Sequence, residues 1–537
     1  MGHRSDQGPR VRSGRRAPVK ALIGAFIRRY GWPAHGAERP LSIGHRGACA
    51  HAHENTLASF HVAARLGADM WELDARLSRD GAVIVSHDEV VTGADGRQVV
   101  LAEHDAADIA RIRLRRGGHV PLLQDVINLA IETSCGLYVE VKERAAAPPA
   151  MALLAKSAVP FAALGSFDHE TVRALVAARP AEPRFPISVL VRNGEDPFAA
   201  AADTGAEIIH LCWERASDEP DRLITPDLLA RAARENLIVV IWHEERRAVL
   251  ERLMAMPVAG ICTDKPEMMN RYRPHPEFPI DIVCHRGMNA VAPENTLHAA
   301  RLCFDQGFQV VELDVRRTAD GALAVIHDAV LDRTTDGSGP VAARTMAELG
   351  RLSAGAWFDP FFAGERVTPL AAFLEAAGAD GRLYVEVKDT DPAATVAEVK
   401  RAGLLSRVFF WSPDPSRLAE LRRLSDDMQI MVERESFSSV HEAIQILRPT
   451  IVQFEAEMSV PSEIEACRRA GVAPMVKYFG SDEGVFERII RLKPALINLN
   501  RPDMFLAAYA SVTSAANPKF ASHWGNARGE FRIQKLH

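Results

Sequence analysis

A long internal repeat constrains this 537-residue chain more than any other feature. The segment from Ile43 reads IGHRGACAHAHENTLASFHVAARLGADMWELDARLSRDGAVIVSHD, and the segment from Val283 reads VCHRGMNAVAPENTLHAARLCFDQGFQVVELDVRRTADGALAVIHD. His45 matches His285, Glu54 matches Glu294, Glu72 matches Glu312 and His87 matches His327, each pair 240 residues apart with no insertion between them. LYVEVK follows, ending at Lys142 in one copy and Lys388 in the other; the spacing there is 246, so the second copy carries six extra residues before it. A period of 240 residues is too long for a solenoid unit and matches one whole (β/α)8 barrel.

Within each copy, short β-branched or apolar runs alternate with Ala- and Leu-rich helical stretches. The first copy gives SIGH, MWELD, AVIVSH, LYVEV, FAALGS, ISVLV, EIIHL, IVVIW and GICTD, with helices expected over Thr56 to Leu66 and His169 to Ala178. Such alternation predicts an α/β chain of repeated βα units, two tandem TIM-type (β/α)8 barrels. Nine candidate strands are one more than a barrel holds, and the pattern does not say which lies outside. A doubly wound open sheet is the competing architecture, disfavoured because no Gly-rich dinucleotide loop follows the first strand.

A net charge of −6 provides no overall basic field for nucleic acid. Seven cysteines without a C-x-x-C pair argue against a disulfide framework and fit a reducing compartment. No apolar run is long enough to span a membrane. Residues 1–37 stand apart, with eight Arg and Lys side chains against Asp6 and an apolar run only from Ala21 to Ile27. They read as a disordered basic arm with one short helix and make a poor signal peptide, so the chain is expected to be cytoplasmic. The arm is also compatible with weak attachment to an anionic membrane surface. The expected domains are an arm over 1–37, barrels over 38–273 and 280–510, and a tail over 511–537. The three prolines of Arg271–Pro279 predict a short, stiff linker, and the joined barrels read as a monomer that mimics a dimer.

Polar residues cluster at strand ends, where such barrels carry their chemistry. They are His45-Arg46, Glu72 and Asp74, His87-Asp88, and Glu140 and Lys142; the second copy repeats them as His285-Arg286, Glu312 and Asp314, His327-Asp328, and Glu386 and Lys388. Strand residues i and i+2 share a face about 7 Å apart, so Glu72 faces with Asp74 and Glu312 with Asp314. With Glu140 or Glu386 nearby, such carboxylates must take up a proton or share a cation. An all-oxygen set suits a hard divalent ion, Mg²⁺ or Ca²⁺. Three carboxylates, one such ion, one Arg, one Lys and one phosphodiester anion are together neutral. The histidines titrate near neutrality and supply an acid and a base, and Arg46 or Arg286 can hold a phosphate oxygen. Each feature alone is common in structural roles, and the ENT triplet most often caps a helix through Asn or Thr. Their joint occurrence, twice in one chain, is not.

At HRG, the ENT step nine residues later, ELD, the D-G step, HD and EVK, the sequence resembles the glycerophosphodiester phosphodiesterase family over about residues 40–272 and 280–507. The resemblance implies TIM-type barrels that hydrolyse glycerophosphodiesters to glycerol 3-phosphate and an alcohol. It implies divalent-metal ligands Glu72, Asp74 and Glu140 with catalytic His45 and His87 in the first copy, and Glu312, Asp314 and Glu386 with His285 and His327 in the second. Arg46, Lys142, Arg286 and Lys388 are the expected phosphate-binding groups. Glu54 and Glu294 match a glutamate beside the site, as ligand or orienting group. The copies depart from the family pattern in opposite places. Copy two has PENT, LDRTTDGSG and an aromatic loop with Trp357, Phe358, Phe361 and Phe362, but WSPD, KYF and LINLNRP in its back half. Copy one keeps GSFD, VIWH and CTDKP, but lacks the proline before Glu54 and reads VVTGADG where LDRTT would fall. The alternatives are therefore a lysophospholipase D or sphingomyelinase D-like enzyme whose aromatics accept a lysolipid, and a chain with one barrel silent.

Overall fold

The computed structural model describes residues 16–180 and 185–516. The chain divides into two units on either side of the Met269–Asn270 bond. In the first unit eight strands run parallel: β1 (Leu41–Gly44), β2 (Met70–Leu77), β3 (Gly136–Val141), β4 (Ala162–Ser166), β5 (Ile187–Arg192), β6 (Ile208–Cys212), β7 (Ile238–Trp242) and β8 (Gly260–Thr263). β8 pairs back onto β1, which closes the barrel and excludes an open sheet. The ninth candidate strand is identified as AVIVSH. Its Val83–Val85 pairs antiparallel with Ala75–Leu77 of β2. Only five residues separate the two, enough for a hairpin and too few for the helical crossover that a parallel neighbour needs.

The second unit repeats the plan with β9 (Asp281–Cys284), β10 (Val310–Arg317), β11 (Arg382–Val387), β12 (Val408–Trp411), β13 (Met431–Glu433), β14 (Ile451–Glu455), β15 (Ala473–Tyr478) and β16 (Leu496–Leu499). β16 pairs parallel with β9. Between β12 and β13 the ladder thins to a parallel bridge from Phe410 to Ile430. The interior is continuous nonetheless: Val283, Val310, Tyr384, Phe409, Met431, Ile451, Met475 and Leu496, one from each strand, form one packed cluster. Such inward layers make a core, not a pore, and leave chemistry to the strands' C-terminal ends.

Two boundary expectations need correction. Arg16–Tyr30 is a 15-residue helix. Val19, Ile23, Phe26, Ile27 and Tyr30 recur at helical spacing and are buried with Trp32. Trp32 meets Phe161 at 6.1 Å, and the Tyr30 hydroxyl donates to Glu207 at 3.1 Å. The expected disordered arm therefore does not extend over residues 16–37; residues 1–15 lie outside the described residues. At the other end, Pro502–Ala516 is one helix with Val512 and Thr513 buried, so the tail does not begin at 511, and 517–537 lie outside the described residues. The Arg271–Pro279 segment, expected as a short, stiff linker, is itself packed. Tyr272 is buried 5.4 Å from Tyr509, whose hydroxyl accepts from the His275 amide and donates to the Phe278 carbonyl. Among the described residues no helix is long and apolar enough to cross a membrane.

Candidate active sites

Both units bring the expected carboxylates together. Asp74 on β2 lies in register with Glu140 on β3, and Asp314 on β10 with Glu386 on β11. Glu72 and Glu312 sit two residues earlier on the same face. In each set one oxygen per residue lies within 4.8 Å of the others, and all six side chains are buried. Lys142 Nζ approaches Glu140 at 2.8 Å and Asp74 at 3.2 Å, and Lys388 Nζ approaches Asp314 at 3.1 Å and also pairs with Glu386. The two lysines expected to hold phosphate thus stand within the carboxylate sets.

The HRG turn positions the rest. Arg46 and Arg286 take left-handed φ values of 50° and 58°, a conformation costly for a residue with a Cβ and found where function holds the backbone. In that shape the backbone N–H of Arg46 donates to Glu72 at 3.1 Å and that of Arg286 to Glu312 at 2.8 Å. The Arg46 guanidinium then reaches Glu54 at 2.9 Å and Asp74 at 3.3 Å, and that of Arg286 reaches Glu294 at 3.0 Å and Asp314 at 3.2 Å. The next residue must be glycine: a Cβ on Gly47, at φ 90°, would stand 2.4 Å from Ser59 Oγ. In the ENT triplet the threonine caps the helix, Thr56 accepting from the Ser59 amide and Thr296 from that of Ala299. The asparagines do something else. Asn55 and Asn295 donate to Asp74 and Asp314 at 2.8 Å and fix those carboxylates.

The histidines flank each set. His45 Nε2 lies 4.0 Å from Glu72, and His285 Nε2 lies 3.9 Å from Glu312. His87 and His327 stand after the hairpin strands, their carbonyls gripped by Arg76 and Arg316 and their Nδ1 atoms on Asp88 at 2.8 Å and Asp328 at 2.6 Å. In all four rings Nδ1 is engaged, by Asp264, Asp88, Asn500 and Asp328 for His45, His87, His285 and His327.

Burial and neighbouring carboxylates hold Glu72 and Glu312 far above the ordinary carboxylate range, and push Glu140 and Glu386 up to about 7. Burial opposes charge on Asp74 and Asp314 as well, but the adjacent lysine and arginine outweigh it and keep both low. Without a cation, each set therefore shares protons. Glu72 Oε1 and Glu312 Oε1 are buried and accept no hydrogen bond. Such orphaned oxygens fit a hard cation, so the two sets can hold a metal ion.

The model of the glycerophosphoryl diester phosphodiesterase family matches residues 45–268 and again 285–468, well over half the chain. The chain belongs to this family. It is 30% identical over 200 residues to a glycerophosphodiester phosphodiesterase of Caldanaerobacter subterraneus subsp. tengcongensis, covering 36% of this chain and 82% of the relative. It is 31% identical over 186 residues to one of Bacillus subtilis, covering 33% of this chain and 59% of the relative. The chain spans only 44% of the length of another Bacillus subtilis relative, matched over 107 residues at 44% identity. A crystal structure of a glycerophosphodiester phosphodiesterase from Agrobacterium tumefaciens str. C58 aligns over 42% of this chain and 99% of its own with a TM-score of 0.41 and 39% identity.

The two family copies differ around their histidines. His45 Nδ1 meets the Asp264 carboxylate at 2.6 Å and stacks on His243 at 4.7 Å. His285 Nδ1 meets the Asn500 carbonyl at 2.7 Å and stacks on Phe479 at 4.1 Å. Burial pushes His45 below its ordinary range against the pull of Asp264; burial and the Arg286 charge push His285 down to about 4, where its ring partner is the neutral Asn500 and the Asp314 and Glu294 carboxylates oppose the shift only in part. Copy two adds Arg333, whose guanidinium bridges Asp328 at 2.6 Å and Glu294 at 2.8 Å. None of Asp264, Asn500, Arg333, Asn55 or Asn295 was expected as a site residue. The strings CTDKP, LINLNRP, LDRTT and ENT contain these positions without revealing their contacts; only closure of β8 onto β1 brings Asp264 to His45. Of the aromatic loop, Phe362 is buried against Ala292 and Ala299 with Phe358 and Phe361 packed on it. Trp357 remains 41% exposed.

Proposed function

We propose that each barrel is a metal-dependent phosphodiesterase that hydrolyses glycerophosphodiesters to glycerol 3-phosphate and an alcohol. The observation that carries this reading is the duplicated triple-carboxylate set with a buried oxygen, Glu72 Oε1 or Glu312 Oε1, that accepts no hydrogen bond. Family membership supports the diester class. Glu72, Asp74 and Glu140, and Glu312, Asp314 and Glu386, would hold a divalent ion, Mg²⁺ or Ca²⁺, which when bound polarises a phosphoryl oxygen.

The chain's own residues account for the rest. Arg46 and Arg286 stand beside the carboxylates with planar forks suited to a phosphate oxygen. Asp264 orients His45, Asn500 orients His285, and Asp88 and Asp328 orient His87 and His327. In each barrel one Nε2 takes a proton from the attacking water and the other gives one to the leaving alkoxide; the total charge of the pair is unchanged, and proton exchange with solvent restores the starting assignment. The test is release of glycerol 3-phosphate from glycerophosphocholine with and without chelator, in wild type and in His45→Ala and His327→Ala chains. Turnover indifferent to chelator overturns the metal role, and turnover indifferent to both substitutions overturns the histidine role.

A further inference from the structure

The two sites differ most where the sequences part after the HD step. In the second barrel Arg333 ties Asp328 to Glu294, and the space beside them, lined by Glu294, Asn295, His327, Thr334 and Thr335, is only 10 Å³. In the first barrel Gly93 stands at the corresponding step from the histidine, so that position offers no side chain to form such a strap. A groove of 190 Å³ opens there, and its lining includes Glu54, His87, Arg115 and Arg116. His53, where the second copy has Pro293, makes a second difference. Its Nδ1 donates to the Gly117 carbonyl at 3.0 Å and anchors the RLRRGG loop beside the site. The groove's two carboxylates are already engaged, Glu54 by Arg46 at 2.9 Å and Asp88 by His87 at 2.8 Å. The groove of the first barrel thus has a cationic loop in its wall, whereas the second copy carries an aromatic loop packed on Ala292 and Ala299.

We propose that the groove beside His87 is an anion-selecting subsite, and that the first barrel takes glycerophosphodiesters whose alcohol carries a second negative group, held by Arg115 and Arg116. This rests on the hydrolase reading above and narrows it to a substrate class. The proposal takes His87, which lines the groove, as the group that protonates the leaving alkoxide; the leaving alcohol then lies beside it, on the arginine-lined side. Forked guanidinium groups match a phosphate or carboxylate, and repel a choline-type cation. The second barrel, strapped by Arg333, has no room for such a group at the same place.

Four diesters test this on the full chain with the second barrel silenced by His327→Ala: glycerophosphoglycerol 3-phosphate, glycerophosphoglycolate, glycerophosphoglycerol and glycerophosphocholine. The expected kcat/KM for the better of the two anionic diesters exceeds that for glycerophosphocholine by about tenfold or more, the scale of a charge-assisted pair. The phosphomonoester and carboxylate arms show which anion the groove prefers. In Arg115→Ser/Arg116→Ser the preference disappears while glycerophosphoglycerol turnover stays, which also shows the variant is folded. In Arg115→Glu/Arg116→Glu it inverts. A preference unchanged in both variants, or absent in the parent, overturns the proposal. Calorimetric binding of the same diesters to a His45→Ala/His327→Ala chain separates the two readings. Absence of turnover with the arginine-dependent binding preference intact sinks the hydrolase reading and leaves the subsite standing; absence of that preference sinks the subsite.

Discussion

Asp264 and Asn500 occupy the same place against an imidazole and differ by one charge. An aspartate stabilises the imidazolium that forms when His45 takes a proton; an asparagine carbonyl fixes the same tautomer and gives no such support. Asp264→Asn is therefore expected to lower first-barrel kcat on the order of 10- to 100-fold. It should also move the pH limb assigned to His45 to lower pH, because the negative charge that opposes burial is lost. Asn500→Asp should do the reverse in the second barrel, lifting His285 from about 4. Steady-state rates against pH, with the other barrel silenced, check both. A fall in kcat without movement of the limb would mean that Asp264 only props the ring.

The carboxylates carry a second residue-scale consequence. Glu140 and Glu386 ionise at about 7 in the metal-free protein, so a cation must displace protons to bind. Their native values lie above the ordinary 4.5, so the metal-free fold binds extra protons and loses stability from this source as pH rises through 7. Metal replaces the protons and removes that loss. The rise in Tm on adding Mg²⁺ or Ca²⁺ is accordingly expected to be small near pH 5 and larger near pH 8, about tenfold in affinity per unit for each proton released. Differential scanning calorimetry across that range measures it, and a metal-induced shift flat in pH would contradict the shared-proton state.

At the scale of elements, the sequence made the barrel strands and the inward E-x-D faces legible, because period-two alternation and strand-end polarity are local signals. The ninth strand was not assignable, since AVIVSH is as apolar as its neighbours and only the five-residue spacing from β2 excludes a crossover. The helix Arg16–Tyr30 was understated for a different reason. Its charges dominate its composition, and its buried stripe is discontinuous, running through Val19, Ile23, Phe26, Ile27 and Tyr30. Asp264 gives no local signal of its role, because its contact with His45 spans 219 residues and exists only once the sheet closes. The helix yields a test of its own. Trp32→Ala, at a side chain 3% exposed between Phe26 and Phe161, is expected to cost about 3–5 kcal/mol in the first unit. Arg28→Ser on its exposed side should stay within about 0.5 kcal/mol. Hydrogen exchange of β3 to β7 amides reports the first unit alone; equal effects of the two substitutions would mean that the helix is not docked.

For the whole molecule the question is whether one barrel has become a silent copy. A carboxylate set without a cation destabilises the barrel that carries it, because buried like charges must shed ionisation or repel. Each barrel retains the full set, the left-handed arginine that donates to it, and the asparagine that fixes its aspartate. A pure scaffold would have no physical use for any of these. Two ions per chain are therefore expected, with Glu72→Gln removing one and Glu312→Gln the other, each leaving its partner site's affinity unchanged, as for sites without shared ligands. Equilibrium dialysis with Mg²⁺ or Ca²⁺ gives the stoichiometry, and the two single variants give the assignment. The activities of the two variants on a common diester should then sum to that of the wild type. One ion per chain, lost entirely in a single variant, would mean that the other barrel keeps its carboxylates protonated and binds substrate, if at all, without turning it over.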